Sequence, residues 1–156
     1  MKTLQEAANE LLAQKDYDER ITNLLRLIAN EPTENLVFKR QEYLKLANIS
    51  KISDFKDQTI GIIFDYANLA LQDGILTEKE MKNIALLKAF FKIKEGDFYK
   101  MGYEQEVKKV LSLQLEKMYA DQKIDDNEAV MQTELQEIFG LSYDQFCEIE
   151  KSVKSK

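Results

Sequence analysis

Tyr119-Ala120-Asp121-Gln122-Lys123-Ile124-Asp125-Asp126-Asn127-Glu128 is the most acidic turn of the chain, and an apolar helical pattern runs into and out of it. A matching stretch, Leu71-Gln72-Asp73-Gly74-Ile75-Leu76-Thr77-Glu78-Lys79-Glu80, lies 48 residues upstream. The match continues without a gap. Asp73 aligns with Asp121, Leu76 with Ile124, Glu80 with Glu128 and Leu87 with Leu135. Further on, Phe91 aligns with Phe139, Ile93 with Leu141 and Phe98 with Phe146. Self-similarity at a fixed period, with helical patterning on both sides, reads as two copies of one helix-turn-helix unit.

Working outward from the turns, apolar residues at three- and four-residue spacing predict helices. Ile60, Ile63, Phe64, Ala67 and Leu71 predict one over about 54–72, capped by Ser53 or Asp54. Thr77 and Glu80 have the capping-box spacing and open a helix over about 78–92. That helix is apolar on several sides (Met81, Ile84, Leu86, Leu87, Phe90, Phe91), which suits a central position. Residues 93–97 read as a loop, and Gly102 as a break before a helix over about 103–120. After the second turn, Asp125 caps a helix over about 126–139 that Gly140 stops. Ser142 and Gln145 form another capping box and open a last helix to about 153. Cys147 falls inside it, beside Phe146 and Ile149, as a packing residue.

Three further helices precede the repeat. They cover about 3–14, about 17–30, which Pro32 ends, and about 34–48 with Val37, Leu44 and Ala47 on one side. The expected fold is all-α, a bundle of seven or eight helices with an internal repeat. Residues 1–52 form N-terminal helices packed on a core of 53–156, one compact unit overall.

Bulk composition agrees. In 156 residues there are only five glycines and one proline, so tight turns are few. A 44% hydrophobic, 32% charged composition is that of a globular protein. The net charge of −6 argues against nucleic-acid or anionic-membrane binding, which need basic surfaces, and admits cations and basic protein partners. There is no histidine, which removes Ser-His and Cys-His pairs and the usual zinc helices. One cysteine allows no internal disulfide. No apolar run approaches the roughly 20 residues a membrane helix needs. Met1-Lys2-Thr3-Leu4-Gln5-Glu6 lacks a signal-peptide core, so a cytoplasmic location is expected. Nothing marks a nucleophile, phosphate loop or cofactor motif, so the reading is not an enzyme.

The two turns overlap the second half of an EF-hand loop, with Asp73 or Asp121 at position five, Thr77 or Asp125 at nine and Glu80 or Glu128 at twelve. The first half fails, because Leu69, Leu71, Lys117 and Tyr119 stand where carboxylates belong. Glu80 and Glu128 also sit where helix caps want them, and Asp73 and Asp121 where aspartate bonds turn backbone.

The pattern Ala-x-Asp-Gly-x-(Leu/Ile)-(Ser/Thr/Asp)-x-x-Glu is matched within Tyr119 to Glu128 from Asp121 onward, with Gln122 in place of the glycine, and by Asp73 to Glu80. With the tail Phe139-Gly140-Leu141-Ser142-Tyr143-Asp144-Gln145-Phe146, it resembles the TerB-like tellurite-resistance family over residues 55–150. The resemblance implies an all-helical fold with internal pseudo-two-fold symmetry. It also implies a bacterial, cytoplasmic, non-enzymatic accessory domain in metal or oxyanion stress and in phage or colicin resistance. Carried over by position, the implied sites for calcium or another divalent cation are Asp73, Glu80, Asp121, Asp125 and Glu128. The alternative is a protein-docking helical domain without a metal site.

Overall fold

The computed structural model describes residues 3–120 and 128–155; the side chains of 128–130 lie outside that description. Every regular element among the described residues is helical. In chain order these are α1 (Leu4–Gln14), α2 (Glu19–Asn30), α3 (Leu36–Leu46), α4 (Lys56–Gln72), α5 (Glu78–Phe90), α6 (Asp97–Lys100), α7 (Glu104–Ala120), α8 (Glu128–Phe139) and α9 (Tyr143–Lys154). Short 3-10 turns cover Thr33–Asn35 and Ile52–Phe55. None of these helices is long and apolar enough to cross a membrane.

The nine α-helices among the described residues exceed the expected seven or eight because the stretch between the 93–97 loop and Gly102, read as a short turn, closes into α6. Its N-terminus is built by Asp97, whose Oδ2 accepts from the Lys94 amide at 2.6 Å and pairs with Lys56 Nζ at 3.0 Å. The backbone bond and the Lys56 ammonium hold the Asp97 carboxyl below its ordinary range, against the opposing effect of burial. The start of α4 also differs from expectation. Neither Ser53 nor Asp54 caps it; the 3-10 turn runs directly into the helix, with Phe55 at the cap position and no side-chain cap bond.

α1 and α2 form a hairpin joined by residues 15–18 and bury Leu4, Ala7, Ala8, Leu11, Ile21, Leu24, Leu25 and Ile28. The link is fastened to α4 by one carboxylate. Asp65 accepts from Lys15 Nζ at 2.5 Å and from the Tyr17 hydroxyl at 2.8 Å. α4 packs against α1, α5 and α7; α5 also contacts α3 and α8, and α7 contacts α9. Phe64 of α4, Phe98 of α6 and Phe139 of α8 meet at centroid separations of 5.4–6.3 Å in the centre of this arrangement.

α3 corrects a sequence expectation. Its buried residues are Leu36, Arg40 and Leu44. Val37 is instead 59% exposed and Ala47 is only partly buried. Cys147 is likewise partly buried rather than enclosed.

Local geometry agrees at 48-residue spacing. α4 and α7 each have 17 residues and begin 48 apart. The Ile93 amide donates to the Lys88 carbonyl at 2.8 Å, and the Leu141 amide to the Gln136 carbonyl at 2.9 Å. Lys92 at φ 56° and Gly140 at φ 65° supply the left-handed residue that this helix stop needs. The end of α3 uses the same stop without a visible sequence match. The Ile49 amide donates to the Leu44 carbonyl at 2.9 Å, with Asn48 at φ 60°.

Candidate functional site

The first acidic turn is enclosed by bonds from both flanking helices and from α7. α4 ends at Gln72, and Asp73 is its exposed C-terminal cap. Gly74 at φ 147° lets the chain reverse where an L side chain would be strained. Leu76 is fully buried and anchors the turn. Its amide donates to Gln114 Oε1 at 2.7 Å, and its carbonyl accepts from Gln114 Nε2 at 3.0 Å. One buried amide side chain therefore satisfies both backbone groups of one buried residue.

Glu80 is buried and folded back onto its own helix start. Its Oε1 accepts from the Thr77 amide at 3.1 Å and from the Thr77 hydroxyl at 3.0 Å, while the Glu80 amide donates to Thr77 Oγ1 at 3.2 Å. The capping box expected at this point is present. Nearby, the Tyr66 hydroxyl accepts from Asn83 Nδ2 at 2.9 Å. Burial, aided by the Glu80 charge, pushes the Tyr66 hydroxyl up to about 12 against that hydrogen bond.

A cation already lies against this turn. Lys117 of α7 donates its ammonium to the carbonyl oxygens of Leu71 and of Gly74, the latter at 3.2 Å. The residues expected to share a metal are thus placed differently: Glu80 faces Thr77, and Asp73 is exposed at the end of α4. Asp121 and Asp125 lie outside the described residues. Glu128 is the first residue of α8, and its side chain is outside the description. Among the described residues, no three or more Cys, Asp or Glu side chains are grouped so as to hold a metal.

Two other helix ends are closed in the same manner. Arg40 of α3 is buried, and its Nη1 donates to the Phe90 carbonyl at the end of α5 at 2.7 Å. Its guanidinium lies 5.6 Å over the Phe90 ring, and its buried Nε has no partner. Burial pushes the Arg40 pKa down. Lys88 of α5 donates to the carbonyls of Ile138 at 2.5 Å and Glu137 at 3.3 Å, at the end of α8. Burial lowers the Lys88 pKa, and the charges of Glu95 and Asp97 partly oppose that. Each cation serves carbonyls that no helix can satisfy internally and sits at the negative end of the helix dipole.

An apolar depression lies between α3 and α5. Val37 and Leu86, 59% and 41% exposed, stand over a depression of about 100 Å³ floored by Leu4, Leu36 and Phe90. Phe38, 66% exposed, follows Val37 on α3. Periodicity alone assigns Val37 to a buried face and Leu86 to an all-round apolar helix. The sequence signal that could have found the site is the weak amphipathicity of α3, where Val37, Phe38 and Leu46 compete with Leu36 and Leu44 for the core.

No protein-family model matches the chain, and neither a curated protein nor a solved structure matches it.

Proposed function

We propose that this chain is a non-enzymatic, TerB-like accessory domain that acts by docking a protein partner in bacterial stress, tellurite or phage resistance. The carrying observation is the apolar depression between α3 and α5, where Val37 and Leu86 are exposed above Leu36 and Phe90. Exposed aliphatic side chains rimming a shallow apolar hollow are what a partner's apolar anchor fills. Exposed Glu137, Asp144 and Glu148 on α8 and α9 support a partner of basic character. The pseudo-two-fold TerB-like architecture is supported by the helix stops and helix lengths that agree at 48-residue spacing.

The divalent-cation reading rests on the second turn, through Asp121, Asp125 and Glu128. At the position 48 residues before Lys117 stands Leu69, a buried apolar side chain that cannot supply an ammonium. Calorimetric titration with calcium, magnesium and manganese tests that reading. Absence of heat up to millimolar cation removes it.

Affinity capture from the source cells, comparing the wild type with Val37→Glu and Leu86→Glu, tests the docking reading. Loss of the same captured protein in both variants, with unchanged melting, supports it. Retention in both variants sinks it.

A further inference from the structure

We infer that the turn closing α4 is a cation site whose resident cation is the chain's own Lys117 ammonium, and that a small free ammonium ion replaces it once that side chain is removed. This inference stands apart from the docking reading and does not depend on it. The carbonyl oxygens of Leu71 and Gly74 converge on one nitrogen, Lys117 Nζ. Carbonyl oxygens converging at the end of a helix supply both the donor atoms and the negative dipole end that a cation seeks.

The convergence has independent supports. Gln114, one helical turn before Lys117, holds both backbone groups of Leu76. The Thr77–Glu80 capping box holds the far side of the turn. Neither involves the lysine, so the two carbonyls keep their arrangement when it is shortened. An oxygen cradle that persists without its occupant accepts another cation of similar size and hydrogen-bonding capacity. Ammonium and methylammonium meet that description, because they carry N–H donors as Lys117 does. Tetramethylammonium carries the same charge and no donor.

Two measurements on the full chain decide this. The first is thermal unfolding of the wild type, Lys117→Ala and Lys117→Met in ammonium, methylammonium or tetramethylammonium chloride at equal concentration. Lys117→Ala should melt lower than the wild type and regain part of the loss in ammonium and methylammonium, not in tetramethylammonium. Lys117→Met fills the space with an uncharged chain and should regain nothing. The second is the rate of amine methylation of each lysine in the wild type, read by peptide mass spectrometry. Lys117 should react about tenfold or more slowly than the exposed Lys79 and Lys109, a protection equivalent to about 1.4 kcal/mol. Equal salt effects on all three proteins overturn the inference. Labelling of Lys117 as fast as Lys79 also overturns it, and does so even if Lys117→Ala fails to fold.

Discussion

The Lys88 ammonium donates to the Ile138 carbonyl across 2.5 Å and closes the last turn of α8 from α5. The Arg40 guanidinium and the Phe90 carbonyl repeat that relationship between α3 and α5. Both donor and acceptor are displaced by 48 residues. Lys117 closes α4 from α7 in a related way. Packing of neighbouring helices is thereby coupled to termination of each helix, because the cation of one helix satisfies the orphan carbonyls of the next.

These cations differ in what their removal exposes. Lys88→Met leaves two carbonyl groups without their donor, and should destabilise by about 1–3 kcal/mol. Arg40→Met loses one bond but also removes a buried Nε that has no partner. Its cost should be smaller, about 1 kcal/mol or less, since replacing an incompletely satisfied buried charge with an apolar side chain is often close to neutral. Urea unfolding of both variants measures the difference; a larger loss for Arg40→Met would reverse the reasoning.

Gln114→Leu is the most damaging polar-to-apolar change expected at the first turn. It leaves both the amide and the carbonyl of fully buried Leu76 unpaired. At roughly 1–3 kcal/mol for each unsatisfied group, the loss should reach about 2–6 kcal/mol. Gln114→Glu keeps the acceptor and loses the donor, and should fall between the wild type and the leucine variant when unfolding is followed near neutral pH.

The left-handed helix stops make opposite predictions for glycine. Gly140→Ala places a Cβ at φ 65° and 2.9 Å from the Gly96 amide nitrogen, so it should cost about 1–2 kcal/mol or more. Lys92→Gly relieves a lysine already held at φ 56° and should stabilise by up to about 1 kcal/mol. Thermal melts of the two variants should therefore move in opposite directions. Movement of both in the same direction would show that side-chain contacts outweigh backbone strain.

Tyr66 and Tyr103 set an alkaline limit. Burial raises both hydroxyls from 10.0 to about 12, and Asp57, which accepts from the Tyr103 hydroxyl at 2.7 Å, adds to that shift. The folded state then holds these protons more tightly than the unfolded chain. Their contribution is fully present below pH 10 and is lost as pH rises toward 12. Tyr66→Phe should make the unfolding free energy fall less steeply over that window. An unchanged slope would assign the alkaline loss to other groups.

Much of the local architecture was legible in the residues alone. The Thr77–Glu80 and Ser142–Gln145 capping boxes and the Gly140 stop form as expected because donor and acceptor are three to five residues apart. The helices around both turns were readable for a similar reason, since one apolar stripe at helical period faces one core. The third helix stop, at Asn48, was not, because hydrogen-bond geometry recurs there without the repeat's residues.

The all-helical fold, the capping boxes at Thr77 and Ser142 and the Gly140 stop were thus determined by local sequence. The tertiary structure alone decided that Lys117, Gln114, Arg40 and Lys88 are structural residues, since their partners lie 38–50 positions away in the chain. It also decided that Val37 faces outward and Arg40 inward on α3. A helix with apolar residues on two sides leaves its orientation to whichever neighbour offers better complements. Here the carbonyl and ring of Phe90 accept the guanidinium, and Leu36, Arg40 and Leu44 form the buried stripe, with Val37 at its exposed edge.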